Sequence, residues 1–310
     1  MSKTLRYGIF LTAIITGINL FFTSLAYFIN QFFISSIAGK MFFIILSTIL
    51  SAAAIAYLVI SASPVFKEYL TTFRRLLRLE SLSHPLMIKL SHEAPGTYHH
   101  TLTVANIASR ASKAIGIDSM LTRVGAYYHD IGKIMAPDFY VENQPVNQNA
   151  HDDIDPEQSA RIIIEHVQKG IELAKENHLP QEVINFIQQH HGTSTVSYFY
   201  QKGKQEGIKV KIADFRYAGP KPQSPEIAVV MLADILEAAI RSKPNPNLQD
   251  IKETVNSIIE QKLDEGQLDS STLTAKQITK LRRSFIESLT AIFHQRIQYP
   301  KNLSKIKTKK

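Results

Sequence analysis

Two long stretches without a single charge decide most of what this chain can fold into. Residues 7–39 contain no Asp, Glu, Lys, Arg or His, and residues 41–66 contain none either. An α-helix crosses the hydrocarbon of a bilayer with roughly 20 apolar residues. Each stretch is long enough, and Gly39-Lys40 between them marks a tight turn. The reading is a transmembrane helical hairpin over residues 1–66. A signal peptide does not fit, because the first apolar run is too long and a second follows at once. Lys3 and Arg6 precede the first span, and Lys67, Arg74, Arg75 and Arg78 follow the second, against Lys40 alone in the turn. That asymmetry predicts two crossings with both ends in the cytoplasm. With no ionisable group inside the spans a transport path is not expected, and Asn19 and Thr23 are expected to pack helix against helix.

The remaining sequence is of another kind. Residues 67–82 read as a helical linker leaving the membrane, with Arg74, Arg75 and Arg78 facing anionic headgroups or simply solvent. A soluble domain follows over residues 83–300, helical almost throughout. Asp155-Pro156-Glu157-Gln158 and Ser224-Pro225-Glu226 carry a capping residue followed by proline at the first helical position. Between Thr193 and Pro222 the composition shifts to β-branched, aromatic and glycine residues, and a small flap or hairpin is expected there. Two closing helices, over 248–263 and 275–297, precede a basic tail at 301–310. The fold class is all-α.

The chain has 310 residues, no cysteine and a net charge of +8. Without cysteine there are no disulfides, no thiolate metal sites and no thiol nucleophile. Any metal must be held by imidazole and carboxylate, which suit Fe, Mn, Zn or Mg. The basic balance favours an anionic small ligand or lipid; with no recognisable module, nucleic acid is not an expected partner.

Candidate chemistry gathers around His129-Asp130, followed by Ile131-Gly132-Lys133. An adjacent imidazole and carboxylate can fix one metal ion while the carboxylate bridges to a second. Asp234 falls on an apolar helical stretch, in line with Ile227, Val230 and Ala238. A carboxylate buried there without a partner costs several kcal/mol, so a cation or a salt bridge to Arg241 is expected. His190 is in register with Val183, Phe186 and Ile187, and His191 is beside it. His100 starts a helix and His166 lies inside one. Five histidines and two aspartates make a set that no one of them would make alone.

His100, His129-Asp130 and Asp234 resemble the H…HD…D pattern of HD-domain metal-dependent phosphohydrolases, and His166, His190 and His191 resemble the additions of their binuclear subgroup. Residues 95–101 (PGTYHHT), 124–133 (VGAYYHDIGK), 190–193 (HHGT) and 215–223 (FRYAGPKPQ) are similar to the seven-transmembrane HD-domain cyclic-di-AMP phosphodiesterases of bacteria (PgpH type), over roughly residues 40–300. That family carries seven spans and a large extracytoplasmic domain, so with two spans this chain reads as a short form.

The resemblance implies an HD-domain helical fold and two divalent transition metals, Mn or Fe. One would be held by His100, His129, Asp130 and Asp234. The other would be held by His166, His190 and His191, with Asp130 as the bridge. It implies hydrolysis of cyclic di-AMP to linear pApA by a metal-bridged hydroxide. Lys133 is the expected phosphate-binding cation, with Arg216 and Lys221 adding to the anion field. Tyr198, Phe199, Tyr200 and Tyr217 are expected to pack the flap or to stack on adenine. The expected partners are the cyclic dinucleotide and membrane lipid, with a homodimer as a candidate assembly. The alternatives are an HD-domain hydrolase of cyclic di-GMP or guanosine tetraphosphate, and a catalytically inactive nucleotide-binding signalling module.

Overall fold

The structure is a computed structural model, and it describes residues 3–32, 34–145 and 148–293. The expected tail at 301–310 and the last turn of the expected closing helix lie outside the described residues. The chain divides into two compact units, Met1–Arg75 and Leu76–Lys310.

In the first unit, α1 (Lys3–Phe32) is followed by α2 (Ile37–Glu80), all but the last turn of which belongs here. Thr12–Phe32 and Ile37–Leu58 are long and apolar enough to cross a membrane. Their apolar side chains, among them Phe21, Phe28, Phe42, Ile45 and Ile49, are exposed rather than packed inward. A row of bare apolar groups of this extent calls for a non-aqueous surrounding, and it supports membrane association. The turn is not at Gly39-Lys40 as expected. Ser36 Oγ accepts from the Gly39 amide at 3.1 Å and caps α2, so Gly39 and Lys40 already lie in its first turn. Asn19 does join the two helices, accepting from Ser51 Oγ at 2.6 Å. Thr23 does not, because its hydroxyl donates back to the Asn19 and Leu20 carbonyls of its own helix.

The second unit is helical. It takes in the end of α2, then α3 (Pro85–Glu93), α4 (Pro95–Ile115), α5 (Ser119–Tyr128), α6 (Pro156–Glu176), α7 (Gln181–Gln189), α8 (Ser197–Gln205), α9 (Pro225–Arg241), α10 (Leu248–Asp264) and α11 (Ala275–Phe293). The helix starts follow the side chains. Asp118, Asp155 and Ser224 accept from the free amides of α5, α6 and α9, and Asn247 with Asp250 makes a reciprocal capping box on α10. Each such cap is worth about 1 kcal/mol.

At the centre lies α9, flanked by α4, α5, α7, α10 and α11. Residues 227–233 are buried on every side, so this helix has no single inward face, and Ala238, expected to point inward with Asp234, is exposed. The end of α2 joins the same core through Leu76 and Leu79. Leu79 O accepts from the Tyr128 hydroxyl at 3.3 Å, and Glu80 pairs with Arg123 at 3.0 Å.

The insertion at 193–222 is not a hairpin. Its middle is helix α8 and a 3-10 turn at Ile212–Phe215, and the extended geometry reduces to one antiparallel bridge between Thr195 and Arg216. The reason is packing. Phe199 and Phe215 close with Ala160 of α6 into a small separate core, so the aromatic residues serve helix-to-helix contact instead of cross-strand pairing.

Candidate metal centre

Two histidine-bearing helix ends build the site. His129 follows the last residue of α5, and His190 follows the last residue of α7. The last carbonyls of a helix have no partner within it. Here the imidazoles supply one: His129 Nδ1–H donates to Ala126 O at 2.7 Å, and His190 Nδ1–H to Ile187 O at 2.9 Å. Inside α6, His166 Nδ1–H donates to Ile163 O at 2.6 Å. In α4, His100 Nδ1–H donates to the Glu237 carboxylate at 2.6 Å. With Nδ1 donating outward, each Nε2 is turned into the centre and in the neutral ring offers its lone pair there, which is the arrangement that ligating histidines require.

Asp130 lies between these rings, 1% exposed. Its Oδ2 is 3.2 Å from His129 Nε2 and 3.7 Å from His100 Nε2, while its Oδ1 is 3.3 Å from His166 Nε2 and 3.6 Å from His190 Nε2. One oxygen thus serves each pair. Asp234 reaches the first pair from α9, its Oδ1 being 3.0 Å from His100 and 3.9 Å from His129. Two four-residue groups result, His100–His129–Asp130–Asp234 and Asp130–His166–His190–His191, each with its donor atoms within 4.8 Å of one another. Neither Asp130 oxygen, nor His129 Nε2, has a hydrogen-bond partner of good geometry. Buried polar atoms left in this state are rare and costly, and a pair of divalent cations would satisfy all three. The residues fit such ions.

Charge is tightly coupled here. Burial pulls the His129 imidazole down, but the Asp130 and Asp234 charges push it up to about 10. His100 is likewise raised against its burial by its bonds to Asp234 and Glu237. His166 is lowered to about 4, chiefly by burial, and His191 is lowered for the same reason with His190 and His166 adding to it. Burial opposes the charge on Asp130, yet the neighbouring His129 and Lys133 hold it well below the usual carboxylate range. For Asp234 the bonds to His100 and His129 do the same.

All seven expected ligands therefore meet, with His191 at the partly open edge. Lys133 is neither a surface lysine nor a free one. Its Nζ sits 2.8 Å from Asp130 Oδ2 and 2.8 Å from Glu142 Oε1. Arg241 pairs with Glu237 at 3.8 Å and not with Asp234. Arg216 is exposed and reaches Thr195, Lys221 pairs with Asp269 at 3.9 Å, Tyr198 rests on Phe199, and Tyr200 rests on Phe215. Two tyrosines border the centre: Tyr217 is stacked on His191 with ring centroids 4.2 Å apart, and Tyr140 meets His166 edge-on at 6.0 Å. His151 bonds the Phe139 carbonyl at 2.9 Å and steadies the loop before α6.

Three participants were missed in the sequence. Glu237 could have been found, since it stands one turn after Asp234 on the same apolar helix. Glu142, in a single 3-10 turn at Val141–Asn143, and Gln267, which accepts from the Thr193 amide beside the His190-His191 pair, lie where no periodicity betrays them.

The sequence and fold comparisons agree with this geometry. The HD domain family model matches residues 97–239. The cyclic-di-AMP phosphodiesterase PgpH of Listeria monocytogenes is 46% identical over 239 residues, 76% of this chain and 33% of that protein. The protein of the same name from Bacillus subtilis is 41% identical over 267 residues, 85% of this chain and 37% of its own length. This chain spans about a third of the length of these curated relatives. The crystal structure of the L. monocytogenes PgpH HD domain in complex with cyclic di-AMP superposes with a TM-score of 0.66 at 47% identity, covering 70% of this chain and 100% of that one. The all-α fold of the second unit is the HD-domain fold, and the chain belongs to the HD-domain family, in its PgpH group.

Proposed function

We propose that the chain is a membrane-anchored phosphodiesterase that hydrolyses cyclic di-AMP to linear pApA, with two Mn or Fe ions in the centre. Residues 1–66 form a hairpin crossing the membrane, residues 67–82 link it to the catalytic domain at 83–300, and both ends lie in the cytoplasm. The observation that carries the reading is Asp130, a buried carboxylate with one oxygen turned to each of two ligand groups, its Oδ1 without a hydrogen-bond partner and its Oδ2 ion-paired with Lys133. A mononuclear hydrolase has no use for the second group, and a binding module has no use for either.

When bound, a divalent pair supplies a water activated at neutral pH and positive charge facing the phosphate oxygens. The chain's own residues do the rest. His100, His129, His166 and His190 are held at Nδ1, so their inward nitrogens need no reorganisation. Asp130 spaces the two groups. Lys133, fixed between Asp130 and Glu142, offsets their charge where the dianionic substrate arrives. Tyr217 backs the His191 ring and shields that side from bulk water. Water oxygen attacks phosphorus, the P–O3′ bond breaks, and the 3′ oxygen leaves with a proton.

The test is product analysis with the full chain in detergent and Mn2+, comparing cyclic di-AMP with cyclic di-GMP. Linear pApA is the expected product. His191→Ala is expected to lower turnover by at least about 100-fold, the scale of losing metal-site integrity, with the circular dichroism spectrum retained. Cleavage of the guanine compound alone would overturn the substrate assignment.

A further inference from the structure

The two ligand groups are not equivalent. The His100 group contains an unshared carboxylate, Asp234, beside its oxygen of Asp130; the second group has three imidazoles and only the shared Asp130. The difference deepens one step outward. His129, His166 and His190 are each held at Nδ1 by a neutral backbone carbonyl. His100 is held by the carboxylate of Glu237 at 2.6 Å. A charged acceptor on the outer nitrogen raises the basicity of the inner one. Glu237 is 3% exposed, so its charge is poorly screened by solvent.

Two cations oppose it. The Lys133 ammonium touches Asp130 Oδ2, on the His100 side, but Glu142 balances it at the same 2.8 Å. Arg241 is 3.8 Å from Glu237 on a side chain that is 36% exposed, so it weakens the carboxylate without cancelling it.

We propose that Glu237 makes the His100–His129–Asp130–Asp234 position the tighter of two cation positions, so that it fills before the His166–His190–His191 position. This rests on the reading that the centre takes two divalent ions. Glu237 touches neither ion nor substrate; it is a positioning residue that acts through His100.

The experiment is a calorimetric titration of the metal-stripped full chain in detergent with Mn2+. Two steps of unequal affinity are expected. His166→Ala should remove the weaker step and leave the tighter one. Glu237→Gln, which keeps the shape and removes the charge, should weaken the tighter step by about 10- to 100-fold and leave the weaker step unchanged. Arg241→Gln, at a half-open surface position, should tighten the first step, and it serves as the test if Glu237→Gln does not fold. The proposal is overturned by equal steps in the wild-type chain, by loss of the tighter step in His166→Ala, by a Glu237→Gln variant that weakens both steps alike or neither, or by no tightening in Arg241→Gln. Uptake of fewer than two equivalents by the wild-type chain would instead sink the two-ion reading beneath it.

Discussion

Gly132 shows how little room a single residue has in this centre. A β-carbon there would overlap the His166 carbonyl oxygen and crowd the Gly170 amide. The 3-10 turn at Ile131–Met135 therefore lies directly on α6, and that contact brings Asp130 to His166. Gly132→Ala must push the turn off α6. Overpacking of this kind costs about 1–3 kcal/mol, and it falls on the contact that holds Asp130 against His166 of the second ligand group. Urea unfolding of the metal-free protein should show that loss of stability, and Mn2+ titration should show the weaker equivalent lost first. A variant with wild-type stability and both equivalents would mean that the turn relaxes without moving Asp130. The glycine was legible in the sequence as part of a motif. Its reason was not, because the surface it meets comes from a helix beyond the next loop.

At the scale of elements, the helix starts could be read from their caps, and Asp234 and His190 from their register on apolar helical stretches, while the set of seven candidate ligands rested on its resemblance to the HD-domain pattern. What could not be read was how the far end of the chain serves the site. Gln267, 3% exposed in the turn after α10, accepts from the Thr193 amide at 3.0 Å and donates to its hydroxyl at 3.0 Å. Lys262 of α10 donates to Ser194 Oγ at 3.1 Å. Together they clamp the turn that follows His190-His191, where Gly192 has a φ of 53°. No periodicity links a glutamine in a loop to a histidine many residues earlier. Gln267→Leu leaves the half-buried Thr193 amide without its partner, which costs about 1 kcal/mol. The loss should appear in denaturant unfolding, together with weaker uptake of the second Mn2+ equivalent, because His191 is the ligand nearest the released turn. Unchanged uptake would make Gln267 a support of the fold alone. The insertion was misread for a related reason: its aromatic residues pack on α6, and a composition rich in β-formers does not reveal which surface it will meet.

For the molecule as a whole, the apolar hairpin and the ligand set were both plain in the sequence, and protons connect the second to folding. In the metal-free protein, His129 is pushed up to about 10 and His100 is raised. The His129 stabilisation is complete below the unfolded value of about 6.5 and is lost as pH rises toward 10; that of His100 is lost in the same direction. His166, lowered to about 4, and His191, also lowered, act in the opposite sense. Each resists protonation when folded, so stability falls as pH drops from about 6.5 toward 4. The metal-free chain should therefore be most stable near pH 6.5 and weaker on both sides. A bound ion requires neutral imidazoles, so at pH 7 Mn2+ must displace a proton from His129. That cost falls on the His100–His129 position, so its affinity should rise about tenfold per pH unit for each proton released between pH 7 and 9, widening its lead over the second position. Calorimetry at pH 7 in two buffers of different ionisation enthalpy would count those protons directly. Binding heats that do not depend on the buffer would mean that the His129 imidazole is already neutral, and the electrostatic description of the empty centre would be wrong.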